Sequence, residues 1–347
     1  MMSPDTLERI IRLASEEYET AWFIWHGGEP LLLPLKFYKK AIELQEKYFG
    51  KDTFRVSNTI QTNGTLIDKK FMSFCKDKKI NVGVSYDGPC NNILRGRTEE
   101  VEKNLEMMKK GGHMFSVSST ICAAGVNDQM KIYAGVVKKG MALSLSPVIH
   151  AGSATADMVP DADEYAEASI SVFDEWLYDK DAEMPLMPHL NYVMSALGEP
   201  SESDCAHSSC LMKWLSVYPN GDVYPCAKGC PSEFRMCNVA DIENLSDAFG
   251  TDAMKKMLTA SIERRNRCMK ECELYGYCSG GCSMDALFEG SMEMNGGASC
   301  KTFKKVFFHI LGTVETILEE RPDLSQYNKF VREAIVGKLV NPKIVSV

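Results

Sequence analysis

Ten cysteines lie close together in the second half of the sequence. The chain has 347 residues and 13 cysteines, and only Cys75, Cys90 and Cys122 precede the group that begins at Cys205 and ends at Cys300. Thiolates are ligands for zinc and for iron–sulfur clusters. Disulfides rarely persist in a reducing compartment, so clustered thiols there indicate metal ligands. We therefore expect this segment to bind metal.

Eight of these cysteines suit two sites of four ligands each. They fall into two blocks, Cys205, Cys210 and Cys226, then Cys268, Cys272, Cys278, Cys282 and Cys300. Four thiolates close a site around one zinc ion or one iron–sulfur cluster, and the spacing alone does not separate these alternatives. Cys230 and Cys237 are left as ordinary thiols near the first block.

Three polar turns that contain glycine follow predicted strands early in the chain. They are His26-Gly27-Gly28-Glu29-Pro30, Gln61-Thr62-Asn63-Gly64 and Ser85-Tyr86-Asp87-Gly88-Pro89. Glycine allows a backbone to approach a ligand closely, although such residues also end strands where no ligand binds. Three such turns at one edge of a sheet favour a ligand pocket.

Strands and helices must alternate over residues 1–150 to place these turns together. The predicted strands are 21–25, 54–61, 80–86, 114–122 and 141–149. The predicted helices are 4–18, 36–48, 68–77, 98–110 and 127–139. In the first of them Ser3 is a suitable N-cap and Pro4 suits the first helical position. Repeated strand–helix units predict a parallel sheet with right-handed crossovers, whose working loops follow the strands.

The composition excludes several classes of protein. Hydrophobic residues make up 45% and charged residues 25% of the chain, which is typical of a globular protein. A net charge of −8 argues against a nucleic-acid partner. No apolar run approaches a membrane span of about 18 residues, and no signal peptide is visible. We therefore expect a cytoplasmic protein with no membrane partner.

The turn at residues 26–30, together with Trp25, resembles the GGEP motif of radical S-adenosylmethionine (SAM) enzymes. Residues 61–68 and 85–89 resemble the next strand ends in the anaerobic sulfatase-maturating branch of that superfamily. The resemblance implies an α/β fold, a partial (β/α)6 TIM-like barrel. Five strands are visible in the sequence, and the resemblance implies that the absent one is the first.

The resemblance also implies which residues bind SAM. The GGEP turn of the family contacts the amino group of the methionine part of SAM. The cofactor-binding residues implied here are His26, Gly27, Gly28, Glu29, Pro30, Gln61, Ser85 and Asp87. Arg95 and Arg97 resemble an arginine that follows the third loop in the family, and solvated loop arginines are the alternative. No residue is assigned a catalytic role.

The cysteine-rich segment resembles the SPASM domain, which holds two auxiliary 4Fe–4S clusters. The resemblance implies that one cluster takes Cys205, Cys210, Cys226 and Cys282, and that the other takes Cys268, Cys272, Cys278 and Cys300. One spacing departs from the family, because three residues rather than two separate Cys268 from Cys272. The implied domains are a barrel over 1–150, a helical connection over 151–204, a SPASM domain over 205–310 and C-terminal helices over 311–347.

The family's catalytic cluster motif, C-x3-C-x2-C, is missing from its expected place before Gly27. No cysteine precedes Cys75. We expect the first strand and the cluster loop to lie upstream of Met1. The alternative is a relative that lacks the catalytic cluster and binds peptides without cleaving SAM.

The resemblance implies a reaction in which SAM yields a 5′-deoxyadenosyl radical that removes hydrogen from a peptide or protein side chain. The electron donor would be a flavodoxin or ferredoxin. Sulfatase-maturating enzymes have an aspartate, thought to deprotonate the substrate, after the Tyr-Pro-Cys run. Here Tyr224-Pro225-Cys226 is followed by Ala227, which cannot act as a base. Sulfatase maturation and peptide crosslinking therefore both remain open.

Overall fold

The central sheet is parallel and follows chain order. The computed structural model describes residues 1–52, 54–199, 207, 210–290, 292 and 296–340. Within them, the sheet has six strands, and neighbouring strands run parallel among the first three and among the last three. These strands are β1 (Ala21–Trp25), β2 (Val56–Thr62), β3 (Asn81–Ser85), β4 (Ser116–Ile121), β5 (Ala142–Pro147) and β6 (Leu186–Met187). The predicted parallel sheet is confirmed, and β1 to β5 are the five predicted strands.

Helices alternate with the strands and also form most of the C-terminal part. The helices before residue 200 are α1 (Pro4–Glu17), α2 (Leu35–Phe49), α3 (Lys69–Asp77), α4 (Asn91–Leu94), α5 (Thr98–Lys110), α6 (Gln129–Val136), α7 (Ala162–Tyr178) and α8 (His189–Ala196). Those that follow are α9 (Asp252–Glu271), α10 (Tyr275–Cys278), α11 (Ser283–Phe288), α12 (Ala298–Glu320) and α13 (Lys329–Val340). Helix α1 starts as predicted, because the Ser3 hydroxyl accepts a hydrogen bond from the Thr6 amide at 3.0 Å.

The sheet's last strand lies in a segment that the sequence predicted to be a helical connection. Residues 151–204 contain α7 and α8, but Leu186–Met187 between them pairs with Leu143 and Ser144 of β5. The prediction of five visible strands was therefore one strand short. Two residues are too few to show the alternation by which a strand is recognised in a sequence.

The chain folds as two compact units, each assembled from separated segments. The first comprises Met1–Ser85, Arg97–Phe115 and Cys210–Ile262, and the second comprises Tyr86–Gly96, Ser116–Ser209 and Glu263–Val347. Strands β1 to β3 belong to the first unit and β4 to β6 to the second. The cysteine-rich segment is divided between the two units.

In the first unit, helix α1 is fixed to the segment that begins at Cys210. Arg9 donates hydrogen bonds to the backbone carbonyls of Val239, Ala240 and Ile242, the last at 2.6 Å. A shared apolar core unites the two segments. Its buried members are Leu7, Ile11, Leu13, Ala14, Ala41, Leu44, Phe49, Ile242 and Leu245.

A second, antiparallel sheet lies in the same unit. It contains β7 (Ser216–Val217), β8 (Asp222–Tyr224) and β9 (Cys237–Asn238) in that order. The predicted hairpin with an Asn-Gly turn is confirmed. Gly221 occupies that turn at a φ of +88°, where an added Cβ would meet the Asn238 side chain at 2.8 Å. Glycine is therefore required at this position, because the backbone has a positive φ and because a side chain would collide with Asn238.

The second unit has a helical core in which His189 is fully buried at the start of α8. Its Nε2 lies 2.9 Å from the Ser169 hydroxyl and 3.0 Å from the Ser169 carbonyl, and its ring stacks on Phe173. Burial lowers the pKa of His189 to about 4, because the charged imidazolium would lose its water. No helix in the described part of the chain is long and apolar enough to span a membrane.

We expect His189 to make the protein less stable in mild acid. Its pKa in the folded state, about 4, lies below the ordinary value of 6.5, so the unfolded chain takes up the proton first as the pH falls. The stability is complete above about pH 6.5 and is lost progressively towards pH 4. Between pH 7 and pH 5, wild type should lose about 2 kcal/mol more of its unfolding free energy than His189→Gln loses.

Urea unfolding followed by tryptophan fluorescence measures this difference. The matched control is His150→Gln, because His150 is exposed. Equal losses for wild type and His189→Gln would show that His189 does not titrate in this range.

Candidate functional site

The turn after β1 has a backbone that only glycine adopts without strain. Gly27 and Gly28 have φ angles of +87° and +54°, and no atom lies within 4 Å of a Cβ placed on either residue. His26 stands exposed at the start of this turn, and its pKa is lowered because the surrounding protein partly excludes water from it. The turn therefore presents open backbone at the carboxyl end of β1.

Glu29 connects this turn to the end of β2. Its Oε1 accepts hydrogen bonds from the Thr62 hydroxyl at 2.7 Å and the Leu31 amide at 2.9 Å. Its Oε2 accepts one from the Asn63 amide at 2.8 Å. A carboxylate can accept about four hydrogen bonds, so Oε2 retains capacity for one more donor. A ligand ammonium group is a suitable donor for that position.

Tyr38 of α2 holds Pro30 in place through a hydrogen bond. The buried Tyr38 hydroxyl donates a hydrogen bond to the Pro30 carbonyl at 2.7 Å. Burial raises the pKa of Tyr38, and the nearby Glu29 carboxylate raises it further. The phenol is therefore protonated at any physiological pH and remains a donor. The GGEP turn is anchored at both Glu29 and Pro30.

Gln61 lies over a glycine of the neighbouring strand. Its Nε2 donates a hydrogen bond to the Ser85 hydroxyl at 3.0 Å. Gly83 is its partner across the sheet, and a Cβ there would lie 2.1 Å from the Gln61 Oε1. Gly83 therefore creates the space that Gln61 occupies. Gln61 and Ser85, two predicted SAM-binding residues, are in direct contact.

The loop after β2 is held by Thr62 of the predicted turn and by Asn104, which the sequence did not single out. The Thr62 hydroxyl accepts a hydrogen bond from the Gly64 amide at 3.1 Å, and Asn104 of α5 donates one to the Gly64 carbonyl at 2.8 Å. Gly64 has a φ of +80° and packs against Val84. Asn104 is a single polar residue within a helical pattern, and nothing in its neighbourhood in the sequence marks it out.

Asp87, another predicted SAM-binding residue, is fully buried in the second unit. Its carboxylate accepts hydrogen bonds from Arg95 Nε and from the Thr120 amide, both at 2.6 Å. These contacts give Asp87 a role in fixing the loop after β3. Arg95 is therefore engaged as an ion-pair partner, whereas Arg97 forms an exposed ion pair with Glu100.

Four cysteines of the second block are electrostatic neighbours in the second unit. Burial raises the pKa of Cys278 to about 11, and the thiols of Cys272, Cys268 and Cys300 raise it further, whereas a hydrogen bond from the Gly280 amide opposes them. Burial likewise raises the pKa of Cys268, with Cys300 and Cys272 contributing. Thiols in this setting stay protonated unless a metal holds them as thiolates.

These thiols are neighbours, but they do not converge on a single metal position. No group of three or more histidine, cysteine, aspartate or glutamate side chains in the described ranges is placed to hold one metal ion. Ligands of a four-iron cluster bind different iron atoms, so they need not converge as zinc ligands do. The described cysteines form no disulfide. Four cysteine thiols are a donor set that an iron–sulfur cluster can use.

The other predicted ligand set is only partly described. Cys205 lies outside the described residues, Cys210 and Cys226 are in the first unit, and Cys282 is in the second. The Lys228 amide donates to the Cys226 sulfur at 3.5 Å. The predicted grouping of these four cysteines stays a prediction.

The two cysteines without a predicted ligand role differ in their surroundings. Burial raises the pKa of Tyr218, and the nearby thiols of Cys230 and Cys226 raise it further. Cys237 lies in β9 and packs against the apolar core, and burial raises its pKa. Cys237 is therefore a packing residue, and Cys230 is a buried thiol close to a predicted ligand.

The comparisons with known proteins agree with this geometry. Residues 1–132 match the family described as the Radical SAM superfamily. The match includes the GGEP turn and the ends of the strands that surround it. The segment is therefore a radical SAM domain.

Individual relatives are similar to most of the chain and not only to its first 132 residues. The chain is 26% identical over 325 residues to the cysteine-type anaerobic sulfatase-maturating enzyme of Clostridium perfringens, over 88% of this chain and 86% of the relative. It is 24% identical over 339 residues to the radical SAM cyclopropyl synthase TigE of Paramaledivibacter caminithermalis, over 93% of this chain and 65% of the relative. The chain is thus homologous to anaerobic sulfatase-maturating enzymes.

A solved structure confirms the predicted fold class. The chain superposes on native anSMEcpe with bound AdoMet and Kp18Cys peptide with a TM-score of 0.80 at 23% identity, over 92% of this chain and 91% of the other. The shared fold is the partial TIM-like barrel of radical SAM proteins.

We expect Gly83→Ala to weaken SAM binding about tenfold, because the new methyl group would displace Gln61 and break its hydrogen bond to Ser85. Equilibrium dialysis with radiolabelled SAM measures the affinity. Gly135→Ala in α6 is the matched control, because no atom lies within 4 Å of its Cβ. An unchanged affinity in Gly83→Ala would remove Gln61 from the SAM site.

We expect Glu29→Gln to reduce SAM affinity more than Gly83→Ala does. The amide group would turn donors towards the Thr62 hydroxyl or the Asn63 amide, at a cost of about 1–3 kcal/mol, and would remove the charge that faces a ligand ammonium group. Isothermal titration calorimetry with SAM measures the loss. The control is Glu43→Gln on the exposed surface of α2. Tight SAM binding by Glu29→Gln would contradict the assignment.

Proposed function

We propose that this protein is a radical SAM enzyme that modifies a side chain of a peptide or protein. The observation that carries the proposal is Glu29, which is bound to the end of β2 and keeps one acceptor position on Oε2 beside the open backbone of Gly27 and Gly28. The homology to sulfatase-maturating enzymes and to a cyclopropyl synthase supports the same reaction class.

The residues of the first unit would bind SAM by its polar groups. Glu29 would accept a hydrogen bond from the ammonium group, and the paired Gln61 and Ser85 would position the remainder. SAM and a reduced 4Fe–4S cluster, when bound, supply a 5′-deoxyadenosyl radical that removes hydrogen from the substrate. Asp87 would keep the loop after β3 in place without touching SAM, because its side chain is fully buried and paired with Arg95 and the Thr120 amide.

Two auxiliary 4Fe–4S clusters are part of the proposal. Cys268, Cys272, Cys278 and Cys300 would hold one, which their mutual electrostatic contacts support. Cys205, Cys210, Cys226 and Cys282 would hold the other, on the basis of the family resemblance. Clusters of this kind accept or relay electrons at potentials set by burial and by hydrogen bonds to sulfur. A flavodoxin or ferredoxin in the cytoplasm would supply the electrons.

A peptide substrate fits the open face of the first unit's sheet. Trp22 and Ile24 of β1 are 46% and 42% exposed, although they are large and apolar. Trp214 packs edge-to-face on Trp22 with the ring centroids 5.4 Å apart. An exposed apolar surface beside a binding site is typical of a substrate contact. The solved structure of similar fold contains a peptide.

The bond that is formed depends on Ala227. The family resemblance implies an aspartate that deprotonates the substrate at this position, and here the residue is alanine, which cannot act as a base. We therefore favour a crosslink within a peptide over conversion of cysteine or serine to formylglycine. A non-catalytic peptide-binding protein is the second candidate, because the sequence contains no C-x3-C-x2-C motif.

We expect a form of the protein that carries the C-x3-C-x2-C loop, purified anaerobically and reduced with dithionite, to convert SAM into 5′-deoxyadenosine. Glu29→Gln should lose this activity while Glu43→Gln keeps it. Liquid chromatography with mass spectrometry measures the product. With a sulfatase-derived cysteine peptide, we expect no formylglycine. Binding of SAM and peptide without any 5′-deoxyadenosine would favour the non-catalytic candidate, and formylglycine would reinstate sulfatase maturation.

A further inference from the structure

Arg264 is a buried arginine in the middle of the second cysteine block. Its side chain is among the largest that are fully buried, with 2% of the residue exposed. Charged side chains are almost never buried unless they are paired. Within the described residues no carboxylate pairs with Arg264, and its hydrogen bonds go to neutral acceptors. This arrangement requires another source of negative charge.

The guanidinium group fixes the loop that connects α10 to α11. Nε donates to the Gly280 carbonyl at 3.0 Å, and Nη2 donates to the Gly281 carbonyl at 3.4 Å and the Ser283 hydroxyl at 2.9 Å. Nη1 donates to the Met292 carbonyl at 2.7 Å. A single side chain thus fixes the loop between Cys278 and Cys282 at several points.

That loop has an unusual backbone that needs such support. Ser279, Gly280 and Gly281 have φ angles of +50°, +84° and +72°. A left-handed conformation is unfavourable for serine but is readily adopted by glycine, so Ser279 is the residue whose conformation needs external contacts. The same loop directs the Gly280 amide at the Cys278 sulfur. The position of Cys278 therefore depends on Arg264.

Three thiols that can carry negative charge lie close enough to Arg264 to influence it. Cys268, Cys282 and Cys278 all act on its guanidinium electrostatically. A cluster ligated by four thiolates is negatively charged, and its charge increases on reduction. In a buried site with few water molecules, a nearby cation stabilises the reduced form more than the oxidised form.

We propose that Arg264 is a positioning residue for the iron–sulfur cluster of Cys268, Cys272, Cys278 and Cys300, which fixes the ligand loop and raises the cluster's reduction potential. The inference rests on the second auxiliary cluster of the proposed function. It adds a residue outside the cysteine pattern whose charge would set the direction of electron flow through that cluster.

The test compares Arg264→Gln, Arg264→Lys and wild type. Redox titration followed by electron paramagnetic resonance gives the potential of the signal that is lost in Cys272→Ala, and a chelator assay gives the rate of iron release. Arg264→Gln should shift the reduction equilibrium at least tenfold towards the oxidised form, which is 59 mV for one electron. It should also release iron faster.

Arg264→Lys separates charge from geometry. Lysine keeps the charge but lacks the planar five-donor group, so we expect a potential close to that of wild type together with faster iron release. The control is Arg267→Gln, an exposed arginine on the same helix, for which neither quantity should change. If Arg264→Gln does not fold, as judged by circular dichroism, Arg264→Lys still tests the positioning role.

The outcomes separate this inference from the function on which it rests. An unchanged potential in a folded Arg264→Gln protein, or unchanged iron release in Arg264→Lys, overturns the inference and leaves the cluster in place. Wild-type protein in which Cys272→Ala removes no iron and no signal, or which contains zinc instead, overturns the second cluster itself.

Discussion

The geometry of the first unit depends on a single carboxylate shared by two strand ends. Glu29 accepts hydrogen bonds from its own turn, from the last residue of β2 and from the first residue beyond it, so neither loop can move without breaking a charge-assisted bond. Tyr38 fixes the same turn from the helix below. Because other residues anchor the turn, Gly27 and Gly28 need no anchoring contact of their own and keep their backbone open. A negative charge held in this way is preorganised for a cationic ligand group.

In the second cysteine block, the surroundings oppose the ionisation of the thiols. Burial opposes the ionisation of Cys268 and Cys278, and the neighbouring thiols oppose it further once they are charged. An amide and a guanidinium group are placed to offset this. Burial of Arg264 is offset by hydrogen bonds to three backbone carbonyls and the Ser283 hydroxyl. The negative charge of the proposed cluster would offset it further, and the arginine would in turn favour the thiolate form of the ligands.

Much of this architecture could be predicted from local pattern. The alternation of strands and helices, the Ser3 cap and the Asn-Gly hairpin all depend on residues close in sequence, and the structure confirms them. Long-range features could not be predicted in this way. Strand β6 is too short to carry a pattern, and Asn104 and Gly83 gain their roles only from strands or loops that fold against them. Arg264 is one of three arginines in a charged helix, where spacing alone does not distinguish it.

The shared core of α1 with Ile242 and Leu245 limits how such a protein can be rearranged in evolution. The segment from Cys210 to Ile262 is not an appendage of the barrel, because its side chains complete the hydrophobic interior of the barrel's first helices. A gene ending before this segment would encode strands with part of their interior open to water. A change in the residues of either segment that line this core would therefore select for compensating changes in the other.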